Sequence, residues 1–249
     1  MPTKNLLITG GSRGIGAATA LRAARAGYDV LLSYAGQAAA AAQVVAGVEA
    51  LGRRALAVQT DVADPDAIES LFAICDREFG RLDALVNNAG ITAHQMRVDE
   101  MSVARLRRVF DVNILGSVLC AQAAVRRMST RHGGEGGAIV NLSSAAARLG
   151  SPGEFVDYAT SKGAIDTFTL GLAREVAAEG VRVNAVRPGL IETDIHASSG
   201  EPGRVERLKG SVPIRRGGSA DEVAAAILWL LSDEASYVTG TLLDVTGGR

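Results

Sequence analysis

The chain has 249 residues, of which 47% are hydrophobic and 21% are charged, the balance of a soluble globular protein with ample apolar material for a core. Lysine and arginine together number 26 and aspartate and glutamate 27, so no excess positive charge favours nucleic acid or an anionic membrane as a partner. The first apolar run reaches glycine too early for a secretory signal, and no stretch approaches the ~18–20 apolar residues that span a bilayer.

The cysteines and histidines carry no sign of a disulfide framework or a metal site. The two cysteines, Cys75 and Cys120, are expected to be reduced core thiols of a cytoplasmic protein. The three histidines, His94, His132 and His196, are scattered and lack the spacing of metal ligands, so we expect no bound metal.

Short apolar runs alternate with longer helical patterns along the chain. The predicted strands are residues 5–8, 29–33, 54–59, 82–87, 138–142, 181–186 and 242–245. The first three predicted helices are residues 14–26, 38–51 and 65–79, and each is followed by a glycine. The third begins after Asp64, a natural N-cap, with proline in its first position. This alternation predicts one α/β domain over residues 1–249, a Rossmann-type doubly wound parallel sheet of about seven strands with helices on both faces.

A glycine-rich turn, ITGGSRGIG at residues 8–16, joins the first strand to the first helix. Glycines at positions 10, 14 and 16 permit positive φ and leave backbone N–H groups exposed at the positive end of the helix, where a pyrophosphate can bind. A tight turn without a ligand would use the same residues. The place of this turn in a doubly wound pattern favours dinucleotide binding.

One long segment, residues 190–216, departs from the strand and helix alternation. It is polar and rich in glycine, serine and charge. Such a segment in a compact α/β domain indicates either a disordered excursion or a lid over substrate.

The spacing Thr9-Gly10-x-x-x-Gly14-x-Gly16 resembles the cofactor turn of the short-chain dehydrogenase/reductase family. The resemblance covers nearly the entire chain, because further markers follow in the family's order. They are Asp61-Val62, Asn87-Asn88-Ala89-Gly90, Asn113, Ser144, Tyr158-x-x-x-Lys162, Pro188-Gly189 and Thr193. The resemblance implies an oxidoreductase that transfers a hydride between a nicotinamide cofactor and a carbonyl or secondary alcohol.

Tyr158 and Lys162 are four residues apart, which places both side chains on one face of a helix. A free phenol titrates at about 10, too high for a base at neutral pH, whereas a neighbouring ammonium favours the phenolate. We therefore expect Lys162 to lower the pKa of Tyr158 and Tyr158 to act as the general acid/base.

The resemblance implies a catalytic set of Asn113, Ser144, Tyr158 and Lys162. Ser144 would hydrogen-bond the substrate oxygen, with Ser143 as the alternative because adjacent strand residues face opposite sides. Asn113 would kink its helix and hold a water that relays protons to Lys162. The cofactor supplies the hydride, so no metal, flavin or covalent nucleophile is needed.

The same resemblance implies the cofactor contacts. They are Thr9, Gly10, Ser12, Arg13, Gly14, Ile15, Gly16, Tyr34, Asp61, Val62, Asn88, Ala89, Gly90, Tyr158, Lys162, Pro188, Gly189, Ile191 and Thr193. The second strand ends without a carboxylate that would repel a 2′-phosphate, and Arg13 is placed to bind one, which favours NADP(H) over NAD(H). Gly36 and Gln37 stand where many NADP-preferring relatives carry a second basic residue.

The family resemblance leaves the substrate open. The pocket would be formed by residues 91–97, 145–156 and the lid at about 190–216. Its candidate contacts are His94, Gln95, Glu154, Phe155 and His196. Sugar oxidation, acyl-thioester ketone reduction and general aldehyde or ketone reduction are all compatible with the sequence.

Two other interpretations remain at this stage. One is a catalytically silent NADP(H)-binding regulatory protein, and the other is an NAD-dependent sugar or alcohol dehydrogenase. The family is usually tetrameric, and the apolar faces of predicted helices at 101–127 and 162–179 agree with a homotetramer.

Overall fold

The protein was analysed as a computed structural model, which describes residues 3–249 except for the side chains at positions 196 and 198. The candidate contact His196 thus lies outside the described side chains. The strands are β1 Lys4–Ile8, β2 Tyr28–Tyr34, β3 Ala55–Gln59, β4 Ala84–Asn87, β5 Gly137–Leu142, β6 Val181–Pro188, β7 Ile191–Glu192, β8 Gly218–Ser219 and β9 Leu242–Val245. Seven of them form one parallel sheet in the order β3-β2-β1-β4-β5-β6-β9, while β7 pairs with β8. The predicted doubly wound fold is confirmed.

Helices cover both faces of this sheet. They are α1 Gly14–Arg25, α2 Ala38–Ala50, α3 Pro65–Phe79, α4 Val103–Phe110, α5 Gly116–Met128, α6 Ala146–Leu149, α7 Val156–Val176, α8 Ile195–Ser198, α9 Arg204–Leu208 and α10 Ala220–Leu231. Alternate residues of β1 divide the core, because Leu6 and Ile8 pack with α1, α2 and α10, whereas Leu7 packs with α3, α5 and α7. Both cysteines are buried free thiols, as predicted.

The predicted helix at 101–127 is interrupted. A π-helical turn, Asp111–Leu115, separates α4 from α5 and contains Asn113. The combined stretch Val103–Met128, with a mean hydropathy of 1.3, has the length and composition of a membrane span. This differs from the prediction that no stretch of the chain is long and apolar enough to span a bilayer. However, Val109, Val112 and Cys120 are buried in the protein core, so we assign its apolar character to packing in the fold.

The strand order places a crevice at the carboxyl edge of the sheet. The chain moves outward from β1 through β2 to β3, then returns to the other side of β1 with β4. The connections after β1 and β4 therefore diverge and leave an opening between them. This opening is where the glycine turn and the segment after β4 meet.

Candidate active site

The glycine turn is tied to the segment after β4 by a small set of hydrogen bonds. The buried Thr9 Oγ1 accepts from the backbone N–H groups of Asn88 (3.1 Å) and Ala89 (3.0 Å). Asn88 Nδ2 in turn donates to the carbonyls of Thr9 (3.0 Å) and Gly10 (2.8 Å). Thr9 consequently lies behind the wall of the crevice and fixes its shape.

The turn has space only for glycine at several positions, of which Gly10 and Gly16 meet the backbone. Gly10 has φ +64°, and a Cβ there would stand 3.0 Å from Ala89 Cα. A Cβ on Gly16 would stand 2.5 Å from the Gly10 carbonyl oxygen. The backbone can therefore turn tightly into the N-terminus of α1. The first turn of α1 carries no acidic side chain that would compete with a bound anion.

A single cleft of about 490 Å³ runs along the carboxyl edge of the sheet from this turn to Tyr158. It brings together most of the implied cofactor contacts. They are Gly10, Ser12, Arg13, Gly14, Ile15, Tyr34, Asp61, Val62, Asn88, Ala89, Gly90, Tyr158, Lys162, Pro188, Gly189, Ile191 and Thr193. Thr9 and Gly16 support the wall without lining it. The glycine cradle and the long, mixed polar and apolar cleft fit a dinucleotide.

Tyr158, Ser144 and Lys162 meet in this cleft. α7 carries Tyr158 and Lys162 one turn apart, and Ser144 follows the end of β5. The Tyr158 hydroxyl hydrogen-bonds the Ser144 side chain, and the Lys162 Nζ lies 5.6 Å from the centroid of the Tyr158 ring. Lys162 Nζ also donates to the carbonyl of Leu142 at 2.6 Å, which holds the buried ammonium at the end of β5.

The pKa of Tyr158 does not shift in the expected direction. Burial raises the pKa of the phenol, and only the hydrogen bond to Ser144 lowers it. Burial also lowers the pKa of Lys162 to about 8, while the negative charge of Asp166 opposes that shift. In this geometry the ammonium faces the Leu142 carbonyl, so Tyr158 is held in its protonated form at neutral pH.

Ser143 and Ser144 have separate environments. Ser143 is buried, and its Oγ donates to the Lys162 carbonyl at 3.1 Å, which ties β5 to α7. Ser144 Oγ accepts from the backbone N–H of Ala146 at 3.1 Å, in addition to its contact with Tyr158. The hydroxyl that meets the phenol therefore belongs to the second serine.

Asn113 is fully buried and does not line the cleft. Its Oδ1 accepts from Ile91 N (2.8 Å), and its Nδ2 donates to the Ile91 carbonyl (2.9 Å) and to Ser161 Oγ (3.1 Å). A Cβ on Gly90 would stand 3.5 Å from both Asn113 Oδ1 and Lys162 Nζ. Asn113 thus joins the π-helical turn, the segment after β4 and α7 immediately behind Lys162.

Beyond Tyr158 the cleft becomes predominantly apolar. Its apolar lining there is Ala145, Ala146, Leu149, Phe155, Leu190 and Ile195, and the polar residues Ser151, Asp194, Ser199 and Arg204 from the same segments also line the cleft. Of the candidate substrate contacts, Phe155 lines the cleft, whereas His94, Gln95 and Glu154 do not. This end is suited to the carbon skeleton of a substrate.

An ionic cluster holds the segment 190–216 over this end. Arg204 lines the cleft, lies 5.1 Å from the Phe155 ring centroid and forms ion pairs with Glu154 and Glu201. Gln95 Nε2 donates to Glu201 Oε2 at 2.5 Å. The segment is therefore structured, with β7, α8 and α9 in it, and it is attached to both neighbouring loops.

Comparisons with known proteins agree with this geometry. The family model described as enoyl-(acyl carrier protein) reductase matches residues 10–249. The chain is 54% identical to the uncharacterized oxidoreductase YgfF of Escherichia coli (strain K12), over 98% of both chains. The chain belongs to the short-chain dehydrogenase/reductase family. It is thus an oxidoreductase of that family.

Two other short-chain dehydrogenase/reductase relatives are similar over nearly their full length. The 3-oxoacyl-(acyl-carrier-protein) reductase FabG of Staphylococcus aureus (strain Mu50) is 37% identical, covering 99% of this chain and 98% of its own. The crystal structure of a short-chain dehydrogenase from Burkholderia cenocepacia J2315 in complex with NADP is 39% identical. It superposes with a TM-score of 0.91 over 98% of this chain and 97% of its own.

Arg108 is a cleft residue that the sequence analysis did not identify. It lies on α4, and its Nη1 is 2.9 Å from Asp61 Oδ2. Arg108 lies four residues before Val112, so both side chains are on one face of the helix, and both line the cleft. This spacing could have indicated that Arg108 faces the cleft.

Proposed function

We propose that the chain is an NADP(H)-dependent oxidoreductase that transfers a hydride between the cofactor and a carbonyl or secondary alcohol. The observation that carries this proposal is the contact of the Tyr158 hydroxyl with Ser144 inside the same cleft that starts at the glycine turn. When bound, the nicotinamide cofactor supplies or accepts the hydride.

Tyr158 serves as the general acid in carbonyl reduction. Burial raises its pKa, so at neutral pH the phenol holds the proton that a substrate oxygen requires. Ser144 hydrogen-bonds the same oxygen and stabilises the charge that develops there. The charged form of Lys162 stabilises the phenolate left after proton transfer. Asn113 fixes the loop at Ile91 and the α7 residue Ser161, which precedes Lys162.

The choice of NADP(H) rests on the cleft around the end of β2. Arg13, Tyr34, Gly36 and Gln37 line this part of the cleft. The sequence from Leu32 to Gln37 has no carboxylate. A guanidinium next to the glycine turn favours a 2′-phosphate. The NADP in the similar Burkholderia structure supports the same choice.

The substrate has an apolar skeleton that fits between Leu149, Phe155 and Leu190. We assign the whole chain to one catalytic domain and segment 190–216 to its lid. We assign the protein to the cytoplasm and to a homotetramer. The exposed Trp229 and the fully exposed Tyr237 support the second assignment, because a neighbouring subunit would cover them. Light scattering that gives a particle of one 25.7 kDa subunit would exclude the tetramer.

The proposed function is tested by NADPH consumption with a panel of aldehydes, ketones, keto sugars and 3-oxoacyl thioesters. The expected result is turnover of at least one carbonyl class by the native chain and its loss in Tyr158→Phe. NADPH binding without turnover of any class would instead support a regulatory nucleotide-binding protein. Turnover with NADH alone would support the NAD-dependent dehydrogenase.

A further inference from the structure

The helix that carries Tyr158 begins without a side-chain cap. The N-cap position of α7 is Phe155, whose side chain accepts no hydrogen bond from the first turn. The first N–H groups of a helix have no partner within it, and the Tyr158 N–H is one of them. Asp157 supplies that partner, because its Oδ1 accepts from the Tyr158 N–H at 2.9 Å. The backbone of the tyrosine is therefore bound to the side chain that precedes it.

The Asp157 carboxylate is in turn held from α4. Arg105 donates to it through two nitrogens, from Nε to Oδ2 at 2.7 Å and from Nη2 to Oδ1 at 3.2 Å. Both side chains are almost completely buried, so the pair is shielded from water. A planar guanidinium that forms two hydrogen bonds with a carboxylate fixes the orientation of the carboxylate as well as its position. The direction of the Asp157 side chain is thus set by a residue of another helix.

The Arg105 guanidinium is also anchored at its third nitrogen. Nη1 donates to the His94 carbonyl at 2.6 Å, in the loop after β4. The backbone N–H of Arg105 is fixed as well, since Ser102, the N-cap of α4, accepts from it through Oγ at 3.2 Å. Met96 N donates to the Glu154 carbonyl at 3.1 Å, which joins the same loop to the segment before α7. These contacts leave Arg105 little freedom to move.

This arrangement lies behind the cleft. Arg105, Asp157 and His94 do not line it, whereas Tyr158 does. On the cleft side, the Tyr158 hydroxyl hydrogen-bonds Ser144. Proton transfer needs the two heavy atoms within hydrogen-bond reach, and a misplacement of about 1 Å can slow a reaction about a hundredfold. A shift in the first turn of α7 would therefore change the position of the hydroxyl that faces the substrate.

We propose that Arg105 and Asp157 are positioning residues for proton transfer by Tyr158. Arg105 orients the Asp157 carboxylate, and the carboxylate fixes the backbone of Tyr158. The phenol is consequently held where it meets Ser144 and the substrate oxygen. This inference rests on the proposed function, and it adds two residues that lie outside the cleft and outside the motifs from which that function was argued.

The test is the single-turnover rate of NADPH oxidation by Arg105→Lys, with the best carbonyl substrate of the panel. Lysine keeps the positive charge but has one nitrogen in place of three, so it cannot keep both the paired bonds to Asp157 and the bond to the His94 carbonyl. The rate is expected to fall about tenfold to a hundredfold, with the dissociation constant of NADPH and the KM of the carbonyl substrate unchanged. Arg107→Lys, at an exposed position of α4 outside the cleft, should keep the native rate.

The Tyr158→Phe background separates positioning from general damage to the site. In that background there is no hydroxyl to place, so Arg105→Lys should not slow the residual reaction further. Distortion of the whole cleft would instead impair hydride transfer itself and slow the residual reaction by the same factor as in the native chain.

Asp157→Asn provides a second variant of nearly the same shape. An amide keeps an acceptor for the Tyr158 N–H but places an NH₂ group against the guanidinium, so it should repeat the behaviour of Arg105→Lys. If Arg105→Lys does not fold, as judged by urea unfolding, Asp157→Asn carries the same comparison in both backgrounds.

Three results would overturn the inference. They are a native rate in these variants, a loss of rate that multiplies with that of Tyr158→Phe, and a fall in NADPH affinity as large as the fall in rate. Each would leave the proposed function standing, provided that the native chain reduces a carbonyl with NADPH and Tyr158→Phe slows that reaction. Failure of the native chain to turn over any carbonyl would refute the proposed function itself.

Discussion

The Arg105 guanidinium and the Asp157 carboxylate form a buried ion pair directly before the proposed catalytic tyrosine. Arg105 Nε lies 2.7 Å from Asp157 Oδ2, and the two side chains are 11% and 1% exposed. Asp157 Oδ1 also accepts from the Tyr158 backbone N–H at 2.9 Å, while Arg105 Nη1 donates to the His94 carbonyl at 2.6 Å. The pair therefore links α4, the first turn of α7 and the loop after β4.

Removing Arg105 leaves a carboxylate buried without its partner. Arg105→Ala is expected to lower the free energy of unfolding by about 3–5 kcal/mol, whereas exposed Arg107→Ala should change it by less than about 0.5 kcal/mol. Urea unfolding of the two variants measures this difference. Equal stability of both variants would show that the pair does not hold these elements together.

The pH dependence of carbonyl reduction should follow Lys162. Its ammonium is charged below its pKa of about 8 and neutral above it, so stabilisation of the Tyr158 phenolate is lost as the pH rises through that value. The rate at saturating cofactor is expected to fall above about pH 8. Lys162→Met should be slower at every pH and lack this decline. A variant that retained the decline would assign it to another group.

Arg204 is expected to affect substrate binding more than cofactor binding. It lines the apolar end of the cleft and lies against Phe155. Arg204→Ala should raise KM for the carbonyl substrate about three- to tenfold, with the dissociation constant of NADPH unchanged. Lys209→Ala, which removes an exposed ion pair with Glu206 in the same segment, is the control. A loss of NADPH affinity equal to the rise in KM would refute a separate substrate role.

Cofactor choice should depend on Arg13. Arg13→Ala is expected to reduce the preference for NADPH over NADH by about tenfold or more, because a charge-assisted contact to the 2′-phosphate is lost. Arg25→Ala, on the exposed last turn of the same helix, should keep the native preference. Fluorescence titration of both dinucleotides gives the ratio, and an unchanged ratio in Arg13→Ala would rule out Arg13 as the residue that binds the phosphate.

The bounds of individual helices and strands were predicted best where the sequence carries clear start and stop residues. α3 begins and ends where predicted, because Asp64 accepts from Asp66 N at 3.0 Å, proline follows it, and Gly80 ends the helix with φ +72°. β9 also has its predicted bounds. The start of α7 at Val156 was not predicted, since no side chain caps it and its first turn is held by the distant Arg105.

The contacts between side chains in the candidate active site could be predicted only in part. The spacing of Tyr158 and Lys162 placed both on one helix face, and the cleft contains both. The direction of the Lys162 ammonium towards the Leu142 carbonyl depends on how β5 meets α7, which no local pattern encodes. The expected lowering of the Tyr158 pKa was wrong in this geometry for the same reason, because burial raises the pKa of the phenol and the hydrogen bond to Ser144, not the ammonium, is what opposes it.

The central claim is that Tyr158 transfers the proton to the substrate oxygen, and the single-turnover rate of NADPH oxidation by Tyr158→Phe tests it most directly. The control is Tyr237→Phe, which changes a fully exposed tyrosine by the same single oxygen atom. With the best carbonyl substrate, Tyr158→Phe is expected to bind NADPH normally and react about 10²–10⁴-fold more slowly, while Tyr237→Phe keeps the native rate. A native rate in Tyr158→Phe would contradict the account.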